Sequence, residues 1–87
     1  MARTSAISEL HFVPGVTRDE MKRNSFALKL FAWTEGTIDF RQPHWWRVVQ
    51  LLAPSKVLCW ATGKRDAGAM TPDQFAQYQL AYEGAIQ

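Results

Sequence analysis

The sequence predicts a single small α+β domain, mainly helical, with three helices and two or three short strands; an all-α packing is the alternative. Three observations lead there. Thr17-Arg18-Asp19-Glu20 and Thr71-Pro72-Asp73-Gln74 each carry a capping box, in which a threonine and the side chain three residues on satisfy each other's backbone N–H. Pro43 and Ala53-Pro54 bracket a third apolar segment as a start and a stop. Runs that lean towards extended structure lie near 7–13, 37–41 and 56–62 and read as strands.

Taken in chain order, residues 1–6 read as a frayed end, and Ile7–Val13 as a strand stopped by the turn pair Pro14-Gly15. Val16 and Met21 then occupy the two positions of a hydrophobic staple around Thr17, so a helix starts at Arg18. Continued to Glu35, it gathers Met21, Ala27, Leu28, Phe31 and Ala32 on one face, with Gly36 as a left-handed stop. The run 26–33 is apolar on both faces, however, and also fits a buried strand turning at Glu35-Gly36 into 37–41.

The second helix spans 43–53. At about 100° per residue, Leu51, Val48, Leu52, Trp45, Val49, Ala53 and Trp46 sweep an arc wider than a surface helix needs. Such a helix is either central to the core or offers apolar surface to a partner. Trp45 falls at the centre of the arc and Trp46 at its edge beside Gln50.

Lys56–Thr62 reads as a strand ended by Gly63, followed by a polar loop to Gly68; Ser55 capping a two-turn helix is the alternative. The last helix, 72–84, has Pro72 at its first position, Met70 and Phe75 as a second staple, and Phe75, Tyr78, Tyr82 and Ile86 at helical spacing.

The 87 residues allow one domain, 1–87, and the eleven aromatic side chains supply the core that so short a chain needs. A net charge of +2, with both signs interspersed, lacks the dense basic face of a dedicated nucleic-acid binder. The single cysteine, Cys59, excludes an intramolecular disulfide and points to the cytoplasm. Its apolar neighbours predict a buried, unreactive thiol. No apolar run is long enough to span a bilayer, so no membrane partner is expected.

Chemistry-bearing motifs are missing. His11 and His44 have no second ligand at metal spacing, so no metal and no cofactor are expected. Gly63-Lys64 lacks both the earlier glycine and the following hydroxyl of a phosphate loop. No carboxylates pair at a spacing that marks acid–base work, so the chain is expected to be no enzyme.

Arg41-Gln42-Pro43-His44-Trp45-Trp46-Arg47 is the segment that suggests function. Trp and Arg dominate binding hot spots because they join a large desolvated area to directional polar groups. Arg41, His44, Trp46, Arg47 and Gln50 are therefore the candidate contact residues for a protein partner. A nucleic-acid surface made of Arg41, Arg47, Lys64 and Arg65 is the alternative, and a second copy of the chain is a further possible partner.

Met70–Tyr78 resembles the closing helix of small bacteriophage tail-assembly proteins, mostly through capping residues. Small Trp-rich chains without motifs also resemble phage-encoded inhibitors that dock on a larger host machine. Both resemblances imply a non-catalytic protein-binding module, an inhibitor or an assembly factor.

Overall fold

A computed structural model describes residues 13–86, which form five helices: α1 (Arg18–Lys22), α2 (Asn24–Trp33), α3 (Trp45–Leu52), α4 (Pro54–Asp66) and α5 (Pro72–Ala85). No strand occurs among the described residues, so the domain is all-helical there and the α+β expectation is corrected.

Both capping boxes form. Thr17 Oγ1 accepts from Glu20 N at 3.1 Å while Glu20 Oε1 accepts from Thr17 N at 3.0 Å. The Thr71–Gln74 box closes in the same way, at 3.1 and 2.9 Å. All four staple residues, Val16, Met21, Met70 and Phe75, are buried. The staples also bring the two helix starts together. Gly15, at φ +81°, closes a turn in which Val16 N donates to Val13 O at 3.0 Å. A Cβ on Gly15 would stand 2.6 Å from Met70 Cε, so that side of the turn is filled by the residue preceding the α5 box.

The helix expected over 18–35 is two helices. Arg23 is extended (φ −75°, ψ 137°) and serves as the last cap of α1 and the first of α2. Asn24 and Ser25 follow it, residues that favour a helix start over a helix interior. The break turns the buried face of α2 to Phe26 and Leu30, with Thr34 beyond them, leaving Leu28 67% exposed and Phe31 46% exposed. The expected face through Leu28 and Phe31 is thus the outer one. Gly36, at φ +79°, is left-handed as expected, Glu35 before it is left-handed too at φ 55°, and Gly36 N donates to Phe31 O at 2.9 Å.

Residues 37–41 form no strand: 37–39 are irregular and the chain turns at 40–41. Asp39 Oδ1 accepts from Arg41 N at 3.0 Å, and Gln42 N donates to Asp39 O at 3.1 Å. An aspartate that captures backbone N–H groups offers the chain a turn in place of a ladder, and no described strand lies alongside to compete. Ile38 and Phe40 still reach the core from this turn.

The strand expected over 56–62 is the middle of α4. Ala53 precedes a proline and is pushed out of the helical region (φ −137°, ψ 56°), which ends α3, while Pro54 opens α4 at once. Gly63 does not stop this helix; it lies inside it. The stop is Gly68, at φ +77°, with Ala69 N donating to Lys64 O at 2.9 Å and Gly68 N to Arg65 O at 3.0 Å. Nor is Pro43 the first residue of α3, which begins at Trp45 after a turn. Of the strand expected over 7–13, residues 7–12 lie outside the described residues, and Val13 is buried without strand pairing.

The largest helix–helix contact joins α4 to α5 across the short connection 67–71, and α3 packs on both. At their junction Trp46, Trp60 and Tyr78 meet pairwise, with ring centroids 5.7–6.2 Å apart and near-perpendicular planes. The Tyr78 hydroxyl donates to Pro14 O across 64 residues of chain, tying the start of the described fold to its last helix. No helix is long and apolar enough to cross a membrane, among the described residues.

Candidate functional site

A groove runs along the surface between α2 and α4, and helical spacing explains its lining. On α2, Phe26, Lys29 and Trp33 stand three and four residues apart and share one face. On α4, Lys56, Trp60 and Lys64 stand at successive four-residue steps. Trp60 bridges the two helices, with its centroid 6.4 Å from both Phe26 and Trp33.

Two cavities line this groove. The narrower, about 170 Å³, is walled by Glu20, Arg23, Ser25, Phe26, Lys29 and Trp60. The wider, about 460 Å³ and open to solvent, is walled by Lys29, Trp33, Ser55, Lys56, Cys59 and Trp60. Lys29 and Trp60 belong to both, so the cavities adjoin.

The groove is cationic. Glu20 is its one carboxylate and is held by Lys64, whose Nζ lies 2.8 and 2.9 Å from the carboxylate oxygens. That contact, followed by the Thr17 backbone N–H, keeps the Glu20 carboxyl below its ordinary pKa. Arg23, Lys29 and Lys56 are exposed and form no ion pair with a described carboxylate. Three positive charges thus share the two adjoining cavities with two half-buried tryptophans, Trp33 and Trp60.

The contact residues expected from the sequence divide. Trp46 is 8% exposed and Trp45 0%. The α3 core face therefore centres on Val49, midway between the two tryptophans, and Trp46 belongs to the core instead of the edge. Leu51, placed in the arc by its apolarity, is 56% exposed. Arg47 and Gln50 do lie together, in a second groove walled by Leu51, Ala81, Gly84 and Ala85. Exposed His44 precedes α3 without capping it. Arg41 folds back on Asp39 at 3.0 Å, which lowers the Asp39 carboxyl pKa and raises that of the guanidinium.

Of the four cations proposed for nucleic acid, Arg41 holds Asp39, Lys64 holds Glu20 and Arg65 holds Asp66 at 3.3 Å. Arg65 also lies over the Phe75 ring, 4.2 Å from its centroid. No cavity among the described residues brings the four together. Cys59, expected to be buried, is exposed on the wall of the wider cavity. Its position in a helix, instead of a two-sided strand, turns it outward.

Sequence reasoning missed Arg23, Lys29, Trp33, Lys56 and Trp60. The signal for Lys56 and Trp60 is the four-residue rhythm Lys56, Trp60, Lys64, which is visible only once 56–62 is read as a helix. No family model, curated protein or solved structure matches the chain.

Proposed function

We propose that this chain is a non-catalytic protein-binding module that receives its partner in the α2–α4 groove. The observation that carries the reading is that Lys29 and Lys56 share a cavity with Trp33 and Trp60, while Arg23 lines the adjoining one. Partly exposed aromatics rimmed by charge have the composition of interface hot spots. A cavity of about 460 Å³ falls in the size range of ligand-binding clefts. An inhibitor or assembly factor would act by occupying a surface in this way.

Capture from the native cell tests the location. Tagged wild type, the Lys29→Glu/Lys56→Glu double variant and Arg47→Glu are compared under one condition. The expected result is a protein retained by wild type and by Arg47→Glu and lost from the double variant. Retention by the double variant together with loss from Arg47→Glu would move the site to the α3–α5 groove.

A further inference from the structure

We infer that the groove's occupant is an acidic peptide segment of the partner, with a bulky apolar side chain set between its carboxylates; this rests on the groove being the binding site. Lys29 from α2 and Lys56 from α4 both line the wider cavity, together with Trp33, Cys59 and Trp60, and Arg23 adds a positive charge to the narrower one. An apolar side chain entering the wider cavity would leave carboxylates on either side of it facing the lysines. The one carboxylate in the lining, Glu20, is already neutralised by Lys64 and does not repel such a segment.

The same geometry disfavours nucleic acid. Base stacking needs an open aromatic face. Trp60 is hemmed in by Phe26, Trp33, Trp46 and Tyr78 at centroid distances of 5.7–6.4 Å, and Lys64 Nζ lies 5.8 Å over its ring. Three rim cations on a chain of net charge +2 match a few carboxylates better than a run of phosphates. A partly open cavity beside the ring accepts a side chain where it would not accept a stacked base.

The test uses the full chain and four probes, each titrated against its tryptophan fluorescence and by calorimetry. The first is a capped peptide with a Leu-Phe pair between two runs of glutamate. The second replaces the Leu-Phe pair with serines, the third replaces the glutamates with glutamines, and the fourth is a short oligothymidylate. The first probe should bind, with both altered peptides at least about fivefold weaker. Lys29→Glu and Lys56→Glu should each weaken it about fivefold to tenfold, chiefly at low salt. Matching melting curves for these surface variants show that the fold is kept. Equal binding of the glutamine peptide, or tighter binding of the oligothymidylate, overturns the acidic peptide as occupant.

The two claims fail separately. If no probe binds, yet cellular capture is lost in the Lys29→Glu/Lys56→Glu variant, the groove stands and its occupant is misassigned. If capture survives that double variant, the groove itself is wrong.

Discussion

Two of the helix–helix grooves among the described residues differ in what lies beneath them. The α3–α5 groove is walled by Ala81, Gly84, Ala85 and Leu51, and its single cation is Arg47. The α2–α4 groove has Phe26, Trp33 and Trp60 in its lining and three cations without described carboxylate partners. Adjacent tryptophans in the sequence point to the first groove, whereas the two half-buried tryptophans, Trp33 and Trp60, line the second. A tryptophan available to a partner is one that the core has not used. On α3 both are used; on α2 and α4, Trp33 and Trp60 are used only in part.

The strongest way to break this comparison is to remove Trp46. It contacts Trp45, Trp60 and Tyr78 and is 8% exposed, so Trp46→Ala should destabilise the fold by about 3–5 kcal/mol. Trp45→Ala should cost a similar amount. Denaturant unfolding of both variants measures it. A Trp46→Ala protein that melts like wild type but loses its partner would return the site to α3.

How far the sequence shows this division depends on the reach of each signal. The two capping boxes and the 72–84 helix are legible because their bonds span three residues and need no tertiary partner. The α4 helix is not legible in the same way. Val57, Leu58, Cys59 and Trp60 suit a strand by local preference, and only packing against α5 and α3 decides otherwise. Trp46 illustrates the site-level limit. Its angle on α3 follows from the sequence, but the expected centre of the buried arc counts Leu51 and Leu52 as core, and both are more than half exposed. Helical periodicity fixes angles between residues, not which of them the neighbouring helices cover.

A milder perturbation separates the shared floor of the grooves from their rims. Tyr78→Phe keeps the ring against Trp46 and Trp60 but removes the donor to Pro14 O. The expected loss is about 1–2 kcal/mol by chemical denaturation, with no change in peptide binding. Burial also raises the phenol above its ordinary pKa of 10.0. The unfolded chain therefore ionises Tyr78 first as pH rises. Its contribution to stability is complete below about pH 10 and is lost above it. Tyr78→Phe should show a smaller alkaline loss than wild type; an identical alkaline limb would mean that Tyr78 is not the group responsible.

The wall itself can be strengthened. Gly63 lies inside α4, and a Cβ there would meet nothing within 4 Å. Gly63→Ala should therefore raise stability by about 0.5–1 kcal/mol, the usual helix-interior difference. It should leave probe binding unchanged, because Gly63 lines neither cavity of the α2–α4 groove. Destabilisation would mean that residues 56–66 do not form the continuous helix on which the groove depends.

The smallest effect tests the narrow end of the groove through pH. Lys64 and the Thr17 N–H hold the Glu20 carboxyl below its ordinary value of 4.5. On acidification the unfolded chain takes up this proton first, near that ordinary value, while the folded chain resists until lower pH. The Glu20–Lys64 contact thus contributes fully above the unfolded value, and the contribution is lost as pH falls through the folded one. Because Glu20 remains partly exposed, the size should be at most about 1 kcal/mol. Glu20→Gln keeps a side chain able to complete the Thr17 box and removes the charge. Its stability, followed by thermal melting from neutral pH downward, should therefore fall less steeply than that of wild type. The same substitution frees Lys64 beside the narrower cavity and adds a fourth cation without a described carboxylate partner, so the glutamate-flanked peptide should bind Glu20→Gln more tightly at neutral pH. Unchanged affinity would place the peptide's carboxylates at the wide end alone, on Lys29 and Lys56. Weaker affinity would mean that Glu20 positions Lys64 for the partner instead of merely neutralising it.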